Sequence, residues 1–225
     1  MESTENSAVS QQWRQRTLTW LAVAALAATV CFQLRGIVTP QARAANLLAE
    51  MGGELQPRPL VESELGIVLQ AHPQSAQGNA AQTLRTFTAQ PGVVLLHFWA
   101  SWCTPCLAEL PDLVHLAQTM RGRKFQLIAV SYDDNWQDHD AALQKALGDT
   151  APTGIWLRDP QGQSGDAGKM LRTQLGTEQL PETYVIAEGK LVARLIAGQQ
   201  WTGTRMQRAL QQLANEKNGA EAKGE

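Results

Sequence analysis

Hydrophobic and polar positions divide the chain of 225 residues into regions of different character. Residues 18–34 (LTWLAVAALAATVCFQL) carry no charge and are bracketed by Arg14 and Arg16 before and Arg35 after. As a helix, this run would span about 26 Å at ~1.5 Å per residue, slightly short of a ~30 Å hydrocarbon core. Residues 36–80 hold Pro40, Pro57, Pro59 and Pro73 with Gly52, Gly53, Gly66 and Gly78, so they read as a spacer in which no long element fits. A short helix over 42–51 and a short strand over 66–70 are the elements that region allows.

From residue 81 to residue 214 strand and helix patterns alternate. Residues 93–99 (VVLLHFW) form a continuous apolar run, as expected of a central strand buried on both faces. A helix is predicted from Cys103, with Leu113, Leu116, Ala117 and Met120 at helical spacing until Gly122 stops it. Residues 125–131 (FQLIAVS) predict a second buried strand. Asp133, Asp134 or Asn135 is placed to cap a helix that ends near Leu147 before Gly148. A short strand over 155–158 and a helix over 167–175 follow. A hairpin joins 183–187 to 191–197 across Glu188-Gly189-Lys190, and a closing helix covers 204–214. The first half is βαβ with a right-handed crossover. The tail, 215–225, is small and polar and predicts disorder.

Composition adds few constraints. A formal net charge of −2 gives no electrostatic reason to expect a nucleic-acid partner. The uncharged run predicts either a retained membrane anchor over 18–35, behind a short tail of residues 1–17, or a cleaved signal peptide. Ala42-Arg43-Ala44 resembles a cleavage site but lies far beyond the run, so the anchor is preferred. Lys and Arg balance on its two flanks and leave its orientation open.

The cysteines are more informative. There are three, Cys31, Cys103 and Cys106, which excludes a multi-disulfide scaffold. Cys31 lies within the apolar run and reads as a small apolar residue. Cys103 and Cys106 are spaced C-x-x-C where a buried strand gives way to a helix, close enough for a disulfide. Unpaired N–H groups and the positive end of the helix dipole there favour a thiolate at the first sulfur. Cys103 is therefore the expected nucleophile and Cys106 the expected resolving thiol, with Pro105 suited to the first turn. A zinc site needs four ligands, and only this pair has the spacing; His97 and His115 are the remaining candidates, so no metal is expected. A purely structural disulfide remains an alternative. No peroxidatic Thr-x-x-Cys precedes a helix elsewhere.

The segment F-W-A-S-W-C-T-P-C-L-A-E-L-P (98–111) and the later L-P-E-T-Y-V-I (180–186) resemble the TlpA/ResA-like branch of the thioredoxin superfamily. The resemblance covers about residues 83–214. It implies an α/β thioredoxin fold, a central mixed sheet flanked by helices, carried on an N-terminal transmembrane anchor. It also implies a protein-disulfide reductase on the outer face of a bacterial inner membrane, working in cytochrome c maturation or copper-oxidase assembly. The implied partners are protein disulfides and a membrane electron donor; no cofactor is implied. Pro181 matches the cis-proline that faces the cysteine pair, and Leu180 and Trp102 are the implied substrate contacts. Glu109 matches a glutamate near the active-site cavity, placed either to move a proton at the buried thiol or simply as an exposed helix residue. Pro111 matches a proline that bends the helix. His97 departs from the pattern, since thioredoxin has aspartate there and this branch more often asparagine. It reads either as a proton acceptor for Cys106 or as a buried histidine held by a backbone hydrogen bond.

The remaining candidates have simpler readings. His72, His115 and His139 read as surface residues, and Trp20 as an interfacial residue. Trp136, Trp156 and Trp201 suit either the core or a partner surface. Thr104-Pro105 offers no histidine to stabilise the thiolate, which points to a reductant. A tethered assembly factor or copper-handling chaperone without turnover is the competing reading.

Overall fold

The computed structural model describes residues 19–21, 23–26, 28–29, 39–73, 81–163 and 165–214. The chain divides into two units, Met1–Thr39 and Pro40–Glu225. In the first, the described residues from 19 to 29 are helical and exposed, and the Thr29 hydroxyl donates to the Ala25 carbonyl at 2.8 Å. Among the described residues no helix is long and apolar enough to cross a membrane. Residues 18, 22, 27 and 30–35 of the expected anchor lie outside the described residues, as does the tail 215–225.

The second unit is built on an eight-stranded mixed sheet. Its strands are β1 (Glu54–Pro59), β2 (Val68–Ala71), β3 (Ala81–Thr83), β4 (Val93–Trp99), β5 (Phe125–Ser131), β6 (Ile155–Arg158), β7 (Glu182–Ala187) and β8 (Lys190–Ile196). Across the sheet they run β1-β8-β7-β4-β5-β6-β2-β3. β4 pairs parallel with β5 and antiparallel with β7, so both of its edges are covered. Every residue of β4 is buried, which its unbroken apolar run required. Gly92 leads into it at φ +125°, where a Cβ would stand 2.3 Å from the Lys124 carbonyl oxygen. Only glycine allows that approach.

The helices are α1 (Pro40–Glu50), α2 (Glu62–Leu65), α3 (Leu84–Thr88), α4 (Thr104–Thr119), α5 (Trp136–Leu147), α6 (Leu171–Leu175) and α7 (Thr204–Ala214). α1 packs on α7, α4 on α5, and α2 on α6. Alternation along β4 sends Trp99 toward His139 of α5, while Phe98 meets Tyr132 and Tyr184 on the opposite face. Of the three caps considered, Asn135 starts α5, its side chain accepting the Asp138 N–H at 2.9 Å. The helix expected over 167–175 is instead a 3₁₀ turn (Ala167–Lys169) followed by α6, with extended backbone at Met170 between them.

The region read as a spacer differs most. Residues 40–71 form α1, β1, α2 and β2, and they belong to the same unit as the rest of the sheet. Ala44 and Leu48 of α1 are fully buried. Pro57 and Pro59 fit because β1 is an edge strand, where a missing N–H costs no ladder bond, and the register shifts between Leu55 and Arg58. If α1 is integral to the core, Leu48→Ala lowers stability by about 2–5 kcal/mol in denaturant unfolding. A tether would show almost no change.

Candidate active site

Cys103 and Cys106 are joined by a disulfide with 5.2 Å between their Cα atoms. Cys103 is the N-cap of α4 and has extended backbone; its sulfur accepts the Cys106 N–H at 3.3 Å. Pro105 stands in the first turn, where its missing N–H leaves no intrahelical bond unmade. Pro111 lies inside α4 and withdraws one intrahelical donor. The two sulfurs differ in access: Cys103 retains 6% of its surface while Cys106 has none. A groove of about 710 Å³ opens over Cys103 and Trp102 and reaches Arg172, Glu178 and Leu180. Trp102 is 53% exposed at its lip. The Leu180–Pro181 peptide bond is cis, as the resemblance implied.

The turn that presents Cys103 is fixed from a distance. Asp133, at the end of β5, is buried, and its carboxylate accepts the Ser101 N–H at 2.9 and 3.2 Å. The same carboxylate accepts the Ser131 hydroxyl at 2.6 Å, while the Asp133 N–H donates to that hydroxyl oxygen at 3.0 Å. Asp133 therefore clamps the turn before Cys103 rather than capping α5. Its partner Ser101 lies 32 residues away in the chain, so no local motif revealed it.

His97 is fully buried in β4, and its Nδ1 shares a hydrogen bond with the Thr183 hydroxyl at 2.9 Å. Its partner is thus a side chain rather than the backbone. Nε2 has no hydrogen-bond partner among the described residues. Burial pushes the ring from 6.5 down to about 3, because nothing nearby compensates a charge there. At neutral pH the imidazole is uncharged, and taking a proton from Cys106 would create a charge that burial opposes.

This depression has a stability consequence. Between pH 6.5 and about 3 the unfolded chain binds a proton at residue 97 that the folded chain refuses. The stabilising contribution is whole above pH 6.5 and is lost as pH falls toward 3. At pH 4.5 the ring alone accounts for about 3 kcal/mol of lost stability. Urea unfolding at pH 7 and 4.5 measures the loss, and His97→Asn shrinks the difference by about that amount.

Glu109 braces the site from the side. Its two carboxylate oxygens accept the Gly198 N–H at 2.6 Å and the Trp201 indole N–H at 3.1 Å. They tie α4 to the loop that leads into α7. His139, read as a surface residue, is 1% exposed and sits among the rings of Trp99, Trp136 and Trp156. Burial holds it below its ordinary range despite the Asp140 carboxylate 2.8 Å from Nδ1. The surface reading is corrected because α5 packs this face onto Trp99, a contact remote in sequence. His115 is exposed, and His72 is half-buried with Asp140 at 3.1 Å. Trp156 and Trp201 are core residues.

A disulfide at a helix N-terminus just beyond the central strand of this sheet, with Leu180 of a cis Leu180–Pro181 bond lining the same groove, defines the class: a thioredoxin-fold protein with a dithiol centre. The AhpC/TSA family matches residues 69–194, more than half of the chain, and the chain belongs to that family. A protein named as a probable thiol:disulfide interchange protein, DsbE-2, from Pasteurella multocida is 32% identical over 117 residues, which are 51% of this chain and 54% of that protein. The thiol:disulfide interchange protein HelX of Rhodobacter capsulatus is 30% identical over 105 residues, 46% of this chain and 51% of its own. The chain thus spans about half the length of the curated relatives it matches. Among solved structures, a thiol:disulfide interchange protein from Bacteroides sp. superposes with a TM-score of 0.51 at 19% identity, over 76% of this chain and 99% of that one. That likeness supports the fold.

Proposed function

We propose that the protein is a thiol-disulfide oxidoreductase that reduces disulfides of other proteins. The observation that carries this reading is the asymmetry of the sulfurs: Cys103 opens to the groove, and Cys106 is sealed behind it. In the reduced protein, the Cys103 thiolate attacks one sulfur of a substrate disulfide. The substrate S–S bond breaks, a mixed disulfide forms, and the other substrate sulfur leaves as a thiolate and takes a proton. The Cys106 thiolate then attacks the Cys103 sulfur, closing the protein disulfide and releasing the second substrate thiol. Two electrons and two protons pass to the substrate.

Helical N–H groups at the start of α4 favour the attacking thiolate. Leu180 and Trp102 line the groove where a substrate segment would lie. The uncharged run 18–34 supports attachment to a bacterial inner membrane. The extracytoplasmic side for the cysteine pair follows from the disulfide chemistry, which belongs to an oxidising compartment. There a membrane dithiol donor would restore the reduced pair. Thr104-Pro105, without a histidine, supports a low potential, near the ~−270 mV of thioredoxin rather than the ~−120 mV of strong oxidants. Equilibration with glutathione or dithiothreitol buffers measures it; a potential above about −150 mV would reverse the direction and reject the reductase reading.

A further inference from the structure

We infer that Arg172 is a specificity-determining residue: the groove beside Cys103 selects protein disulfides that carry an acidic side chain next to the reacting cystine. The inference rests on the disulfide-exchange reading and specifies its substrate class. Arg172, in the first turn of α6, lines the groove that Cys103 opens to. Its guanidinium lies over the ring of Tyr132, 4.6 Å from the centroid. Its own backbone N–H donates to the Tyr132 hydroxyl at 2.8 Å, so ring and cation are fixed to each other at two points. Tyr132 is fully buried and leaves the arginine little freedom to swing away.

Other arginines use their donors on the chain itself: Arg158 on the Gln70 side chain and the Asp133 and Asp134 carbonyls, and Arg58, Arg85 and Arg194 each on a carboxylate. The buried Asp159 carboxylate, which accepts the Leu171 N–H at 3.0 Å, attracts the Arg172 cation from longer range. Among the described residues no carboxylate oxygen stands within 4.0 Å of the guanidinium, and no side-chain hydrogen bond of Arg172 to a described residue is formed. Glu178 lines the same groove but is solvent-exposed, where water screens its charge. Arg172 thus lines the groove with guanidinium donors that no described side chain takes up. It matches a carboxylate in two-point geometry, and its ordering entropy is already lost to the Tyr132 contact. A substrate cystine lying against Cys103 with an Asp or Glu beside it would supply that carboxylate.

The test uses the full chain, reduced, and three end-capped peptides with one internal disulfide that differ only in the flanking residue: Glu, Gln or Lys. Single-turnover oxidation of the protein is followed against peptide concentration, which separates half-saturation from limiting rate. Expected is an order Glu, Gln, Lys, with at least tenfold between the extremes, carried mainly by half-saturation. Arg172→Gln brings the three within about twofold, and Arg172→Lys keeps the order with a narrower spread. Equal rates in the unaltered protein, or an order that survives Arg172→Gln, overturns the inference while leaving disulfide exchange intact. So does an Arg172→Gln variant slowed equally with all three and with a shifted pH profile of Cys103 alkylation, because the cation would then act on the sulfur. No reaction with any peptide overturns the exchange reading itself, and this inference with it.

Discussion

Cys103→Ser is expected to reduce insulin reduction to the uncatalysed background, because a hydroxyl at the mouth of α4 cannot open a disulfide. Cys106→Ser is expected to behave differently. Its Cys103 still attacks, but the buried sulfur that would close the protein disulfide is gone, so the mixed disulfide persists and turnover stops. Non-reducing electrophoresis with mass spectrometry shows this as a covalent adduct, dispersed by dithiothreitol, in Cys106→Ser and absent in Cys103→Ser. Equal activity of Cys103→Ser and the unaltered protein would favour a tethered binding factor. Adducts formed equally through either cysteine would remove the assignment of roles.

The second large effect concerns stability. Glu182 follows Pro181 in β7 and has no exposed surface. Its carboxylate pairs with Arg194 at 2.9 Å and accepts the Tyr184 hydroxyl. Arg194 side-chain surface is 12% exposed, and its remaining carboxylate neighbour, Glu54, stands at 3.8 Å on the surface. Such a buried pair adds little net stability as a whole, but removing one partner strands the other. Glu182→Ala is expected to cost about 3–5 kcal/mol, enough to lower the Tm by roughly 10 °C in a domain of this size. Glu182→Ala combined with Arg194→Met is expected to recover a large part of that loss. Calorimetry of the three proteins measures it. A single variant within 1 kcal/mol of the unaltered protein would mean the pair is solvated in solution.

The part of the fold read correctly from sequence was the part whose local pattern and tertiary environment agree. β4 and β5 are apolar without interruption and central in the sheet; α7 presents Met206, Ala209, Leu210 and Leu213 at helical spacing, and all four are buried. Asn135 and Gly148 bound α5 by local chemistry alone. Within residues 40–71 the short helix and the short strand were legible as α1 and β2, but β1 and the region's place in the sheet were not, because prolines carry different meanings by position: Pro40 opens α1, whereas Pro57 and Pro59 lie on an edge strand that only the folded sheet defines. The cysteine pair was legible from its spacing and its place between strand and helix. The cis bond at Pro181 was legible only through the resemblance. Asp133, Glu109 and His139 were misread or left open for one shared reason. Their partners, Ser101, Gly198 and Trp99, come from other elements, and no periodicity encodes that proximity.

Most direct is the reactivity of the two thiols in the reduced full chain, followed residue by residue with iodoacetamide and peptide mass spectrometry at pH 7. Cys103 is expected to alkylate faster than a free cysteine under the same conditions, with Cys106 labelled at least tenfold more slowly until the protein is unfolded. Equal labelling of the two sulfurs, or a Cys103 slower than free cysteine, would contradict an ionised, accessible nucleophile in front of a sealed partner.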